Sequence, residues 1–221
     1  MTLQRAILIH DIWWAGMGLA NQFLIALNVG TMGYFWWLQP RQADCYYEQL
    51  IDLERDQEVR VQRSPALRLN WGHHKLDEST LYRVSICLAG MPLPSQADRH
   101  APFNEYLAGL AFFGKTDIHM QFEVEAFSSF WRALREGLRT FGEWDGTEPY
   151  SAAYERAANQ LYPQIADRLK YYELGALAEE GRLERKSVTL SEVGAMKLLA
   201  DGFLARMLRR EAEQKLDDQR E

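Results

Sequence analysis

Between Asp11 and Arg41 the chain carries no charged side chain, and tryptophans bracket the run: Trp13 and Trp14 open it, Trp36 and Trp37 close it. A helix joining the two pairs would cover roughly 34 Å, close to the hydrocarbon thickness of a bilayer, with aromatic residues placed as an interfacial belt. The interior opposes that reading. Asn21, Gln22 and Asn28 each need a hydrogen-bond partner or cost a few kcal/mol in lipid. Leu19, Phe23, Leu24, Ile25, Leu27 and Val29 return only about 0.3 to 0.6 kcal/mol apiece. The balance predicts a buried helix, broken near Gly30 and Gly33 and followed by a second apolar element. A single membrane span over residues 12–38 is the alternative.

Downstream, the apolar period changes several times. Residues 43–56 carry Tyr46, Tyr47, Leu50, Ile51 and Leu53 on one broad helical face. Over residues 58–90, Val59 and Val61, then Leu67, Leu69 and Trp71, then Tyr82, Val84, Ile86 and Leu88 alternate with polar or small residues, as half-buried strands do. Pro92, Pro94 and Pro102 mark a loop. A short helix over 103–113 ends at Gly114, and Ile118, Met120, Phe122 and Val124 read as another strand. The next run, 126–141, sets Phe127, Phe130, Trp131, Leu134, Leu138 and Phe141 at helical spacing.

The remainder is predicted helical. One helix spans about 151–180 with an interruption at Pro163. Another begins at Thr189, where Thr189 and Glu192 form a capping box and Val188 and Val193 a hydrophobic staple. Val193, Met196, Ala200, Phe203 and Met207 line its apolar face, and the charged residues from Arg209 onward read as a fraying end. The expected fold is therefore α+β and helix-rich. Apolar N-terminal helices precede a small, mostly antiparallel sheet over about 58–125, and a helical region follows. The expected division is a core over 1–149 with a helical region over 150–221 packed on it.

Composition adds limits. The chain has 221 residues, enough for a sizeable core, and 25% charged residues, which argues against disorder. A net charge of −6 opposes non-specific nucleic-acid binding over the whole surface. Seven tryptophans and 12% aromatics favour a partner-binding protein. Cys45 and Cys87 are too few for a disulfide framework or a four-cysteine zinc site, and no signal peptide is visible, so a reducing cytoplasm is expected; the inner membrane belongs to the single-span alternative.

Candidate chemistry is sparse. His73 and His74 stand close to Asp77 and Glu78, but in no metal-ligand spacing; His10 and Asp11 form a lone dipeptide. Asp117, His119, Glu123 and Glu125 surround the expected 118–124 strand, where an exposed sheet face accounts for them. Arg132, Arg135 and Arg139 form a stripe that could contact an anion or nucleic acid. Local pairing of Arg132 with Glu136 and Arg139 with Glu143 would neutralise two of the three. No phosphate loop, nucleophile elbow or zinc-helix motif is present, and no motif identifies a family. No catalytic residue, metal or cofactor is expected.

The resulting expectation is a non-enzymatic subunit of a multi-protein complex of bacterial type. It would dock on a protein partner, another chain or a second copy, through Trp13, Trp14, Trp36 and Trp37. A membrane-anchored assembly protein and a nucleic-acid-binding protein using the arginine stripe are the alternatives.

Overall fold

A computed structural model describes residues 3–35, 49–52, 57–61, 77–115, 122–163, 168–218 and 220; for 3–15, 49–52, 57–61 and 114–115 it describes the backbone alone. The chain divides into two compact units, one formed by Met1–Tyr34 with Lys75–Glu221, the other by Phe35–His74.

In the first unit every regular element among the described residues is helical. It comprises α1 (Leu3–Thr31), α2 (Glu78–Gly90), α3 (Ala101–Lys115), α4 (Glu123–Thr140), α5 (Tyr150–Leu161), α6 (Arg168–Glu179) and α7 (Leu190–Asp218). Among the described residues of this unit no strand of the antiparallel sheet expected over 58–125 is formed, and the α+β assignment gives way to a helical bundle. The alternating run Tyr82, Val84, Ile86, Leu88 lies in α2. Asp77 starts that helix by accepting the Thr80 N–H at 2.7 Å. The side it buries is Val84, Cys87 and Gly90, spaced by three, while Tyr82 and Leu88 are exposed. The cap and the three-residue spacing thus outweigh an alternation that a helix also accommodates. In the strand expected over 118–124, residues 118–121 lie outside the described residues, Phe122 precedes α4, and Val124 is already in its first turn.

α4 and α7 supply the core. Phe127, Phe130, Trp131, Leu134 and Leu138 are buried on α4 at the spacing the sequence shows. Val193, Met196, Ala200, Phe203 and Met207 are buried on α7. α4 packs on α3 and α7, and α7 also packs on α2 and α1. The approach of α2 to α7 requires Gly90, where a Cβ would lie 1.9 Å from the Leu208 carbonyl oxygen. α7 begins as its capping signature implies. The Glu192 carboxylate accepts the Thr189 N–H at 2.8 Å, and Val188 and Val193 are both buried. Its C-terminal stretch stays helical to Asp218, held by Arg209–Glu213 and by Lys215, which donates to the Ala89 and Met91 carbonyls. The expected 151–180 helix is divided: α5 ends at Leu161, and Tyr162 leaves the helical conformation (φ −143°, ψ 73°) ahead of Pro163.

In the second unit β1 (Gln49–Asp52) pairs antiparallel with β2 (Gln57–Val61), with an irregularity between Leu50 and Ile51. Residues 49–52 are therefore extended where a helix over 43–56 was expected. Among the described residues this hairpin is the only strand pairing.

Candidate functional site

α1 has two distinct stretches among the residues whose side chains are described. Residues 24–30 are all buried, whereas Leu19 is 68% exposed, Phe23 is 45% exposed, and Gly16 and Gly18 have open space where a side chain would stand. α1 packs on α2, and at the end of the buried stretch a Cβ on Gly30 would sit 3.0 Å from the Val84 backbone. Of the three amides that argue against lipid, Asn28 is fully buried and its Nδ2 donates to the Leu24 carbonyl at 2.9 Å. Asn21 and Gln22 are half-buried at the edge of a 440 Å³ groove, opposite Pro92, Phe103 and Asn104. The Asn21 Oδ1 is buried without a hydrogen-bond partner among the described residues.

The C-terminal end of α1 is fixed by a buried polar cluster. Lys197 Nζ on α7 donates to the Gly33 carbonyl at 2.6 Å and to Asp201 Oδ2 at 2.6 Å. The Tyr106 hydroxyl of α3 donates to the other Asp201 oxygen. All three side chains are buried, at 5%, 1% and 0% exposure for Lys197, Asp201 and Tyr106. Burial pushes the Asp201 carboxyl up from the usual carboxylate range, against the opposing pull of Lys197 and Tyr106. Burial, then the Asp201 charge, raises the Tyr106 phenol well above its ordinary value. The cluster holds one carboxylate, one ammonium and one neutral phenol with their principal bonds satisfied. Its geometry positions the C-terminal end of α1.

The arginine stripe lies on α4, and each guanidinium has a carboxylate partner. Arg132 pairs with Glu105 at 2.8 Å, Arg135 with Glu179 at 2.5 Å and Arg139 with Glu136 at 2.6 Å. Glu143 instead faces Arg210 at 3.0 Å. Glu179 also accepts the Trp131 indole N–H at 2.9 Å, and Arg135 lies over the Trp144 and Tyr150 rings. An anion approaching this face must displace a carboxylate from each arginine it binds.

Trp13 and Trp14 fall on the α1 backbone, as do His10 and Asp11, but their side chains lie outside the described residues. Trp36, Trp37, Cys45, His73, His74, Asp117 and His119 lie outside them altogether. Among the described residues no three His, Cys, Asp or Glu side chains gather as metal ligands, and no helix is long and apolar enough to cross a membrane. Sequence reasoning missed Tyr106, Lys197 and Asp201. Their one signal was a Lys–Asp pair at i,i+4 inside the apolar stripe of α7, flanked by Met196, Ala200 and Phe203. No known protein family, no curated protein and no solved structure matches the chain.

Proposed function

We propose that this chain is a non-enzymatic subunit of a multi-protein complex in the cytoplasm, joined to a protein partner through the part of α1 that precedes Leu24. The observation that carries this reading is the change along the stretch of α1 that follows Asp11, which carries no charged side chain. Residues 24–30 are buried, yet Leu19 and Phe23 present large apolar side chains to solvent beside two open glycines. An apolar surface without charge gains by burial against protein, and small residues let a second backbone approach closely. The Asn21 oxygen, buried at the adjoining groove without a hydrogen-bond partner among the described residues, supplies an acceptor that a partner's N–H or O–H can satisfy.

The test is a photo-crosslinking amino acid placed at Leu19, at Phe23 and, as a control, at the exposed Glu155 of α5, in the cells that make the protein. The reading expects one discrete protein adduct from the two α1 positions and none from position 155. Adducts to lipid alone, or the same adduct pattern from all three positions, overturn it.

A further inference from the structure

A second feature, independent of that docking surface, lies where α1, α2 and α7 meet. Gly30 brings α1 close against Val84 of α2, and on the α7 side Ala205 and Ala212 are too small to fill the remaining space. The result is a cleft of about 500 Å³, within the range of small-molecule sites. Val29, Ile86 and Cys87 line it together with those alanines, and Met32, Tyr82 and Leu216 stand exposed among its lining residues. Burial pushes the Cys87 thiol up to about 11, so at neutral pH it is an uncharged wall that does not repel an anion.

The charge of the cleft opposes that of the chain. The whole protein carries −6, yet the lining has Arg83, Arg206 and Arg209 against the single carboxylate of Glu213. Arg209 and Glu213 cancel each other at 2.8 Å. Arg206 donates to the Gln160 side-chain oxygen at 2.5 Å and shares Glu143 with Arg210, at 3.7 and 3.0 Å, while its Nε is buried without an acceptor among the described residues. Arg83 donates to the Thr80 hydroxyl at 3.1 Å and has no carboxylate within ion-pair distance among the described residues. An apolar cavity edged by the Arg83 guanidinium, which has no carboxylate partner among the described residues, matches a molecule with an apolar body and one anionic end.

We infer that this cleft binds a single-chain amphiphilic carboxylate, its acyl chain against Val29, Ile86 and Ala205 and its carboxylate at Arg83. A neutral or cationic amphiphile of equal length fills the same volume but gains nothing from the guanidinium, so the head group separates this site from generic apolar adsorption.

Isothermal titration of the full chain with dodecanoate, dodecanol and dodecylamine, each below its aggregation limit, tests this. One dodecanoate is expected to bind per chain, roughly tenfold or more tightly than either alternative. Arg83→Glu, at an exposed position, removes that preference while leaving the circular dichroism melt unchanged. Ala205→Phe abolishes binding by filling the cleft. Equal binding of the three amphiphiles, or a dodecanoate affinity indifferent to Arg83→Glu, overturns the inference. So does failure of dodecanoate to bind, including the case in which an acidic amphipathic peptide binds there instead and marks the cleft as a helix-docking groove.

Discussion

Replacing Lys197 with Met removes the ammonium from the buried cluster while keeping most of the side-chain volume. At 2.6 Å the Lys197–Asp201 attraction is about 6 kcal/mol for an effective dielectric of 20. The stability lost is smaller, because Asp201 can escape by taking up a proton. For a carboxyl of ordinary pKa near 3.9, protonation at about pH 7 costs about 4 kcal/mol. That sets a ceiling, to which the lost bond to the Gly33 carbonyl adds about 1 kcal/mol. A loss of about 3 to 5 kcal/mol follows, in line with the removal of one partner from other buried pairs. The sign of its pH dependence is fixed. In the variant the folded-state pKa of Asp201 lies further above its unfolded value, so the folded chain holds a proton that the unfolded chain has lost. Acidification therefore restores stability, by about 1.4 kcal/mol per pH unit, until the unfolded carboxyl protonates too; raising the pH removes it.

Urea unfolding followed by far-UV circular dichroism at about pH 7 and about pH 5 measures the effect. Lys197→Met with Asp201→Leu should recover most of the loss, since no charge is then stranded. A Lys197→Met deficit below about 1 kcal/mol at neutral pH, or one that does not shrink on acidification, would refute the reasoning.

Three other outcomes are expected. Gly90→Ala should destabilise by about 1 to 3 kcal/mol or more, because its Cβ meets the Leu208 backbone, which cannot rotate aside; a raised Tm would show that helix propensity wins instead. Burial pushes the Glu192 carboxyl up, but bonds from Lys170 and Thr189 outweigh it and hold the group at about 2. Glu192→Gln should therefore lose stability above the ordinary carboxylate pKa, with the difference from wild type fading as pH falls toward 2; equal losses at neutral and strongly acidic pH would contradict this. Leu19→Asp with Phe23→Asp should leave the unfolding free energy within about 0.5 kcal/mol of wild type, and a larger loss in denaturant titration would place those side chains in the core.

The sequence was most readable where one period dominates. From Phe127 to Leu138 the apolar residues recur at helical spacing, and that face is the buried face of α4. It misled where two periods coincide. Tyr82, Val84, Ile86 and Leu88 alternate, but the Asp77 cap and the Val84–Cys87–Gly90 spacing are the decisive signals. Charge pairs were the least readable. Local i,i+4 partners for Arg132 and Arg139 were visible in the sequence, yet Arg132 pairs with Glu105 of α3 and Arg135 with Glu179 of α6. Those choices depend on which helices meet, and no spacing along α4 encodes them. Lys197 and Asp201 were hidden for a related reason: charged residues are mostly exposed, and only the packing of α1, α3 and α7 around them reveals an interior pair.

The bond from Lys197 to the Gly33 carbonyl spans 164 residues of sequence, which gives it a meaning in time as well as in space. A ribosome adding about 5 to 20 residues per second needs roughly 8 to 33 seconds to pass from one to the other. Throughout that interval α1 has been made but the helix that fastens its end has not. A long helix whose last twenty residues carry no charge must wait, without its final neighbour, in a crowded cell. Chains stalled before α7 should therefore be held by chaperones or lost to aggregation, so the synthesis of α7 sets when α1 becomes safe.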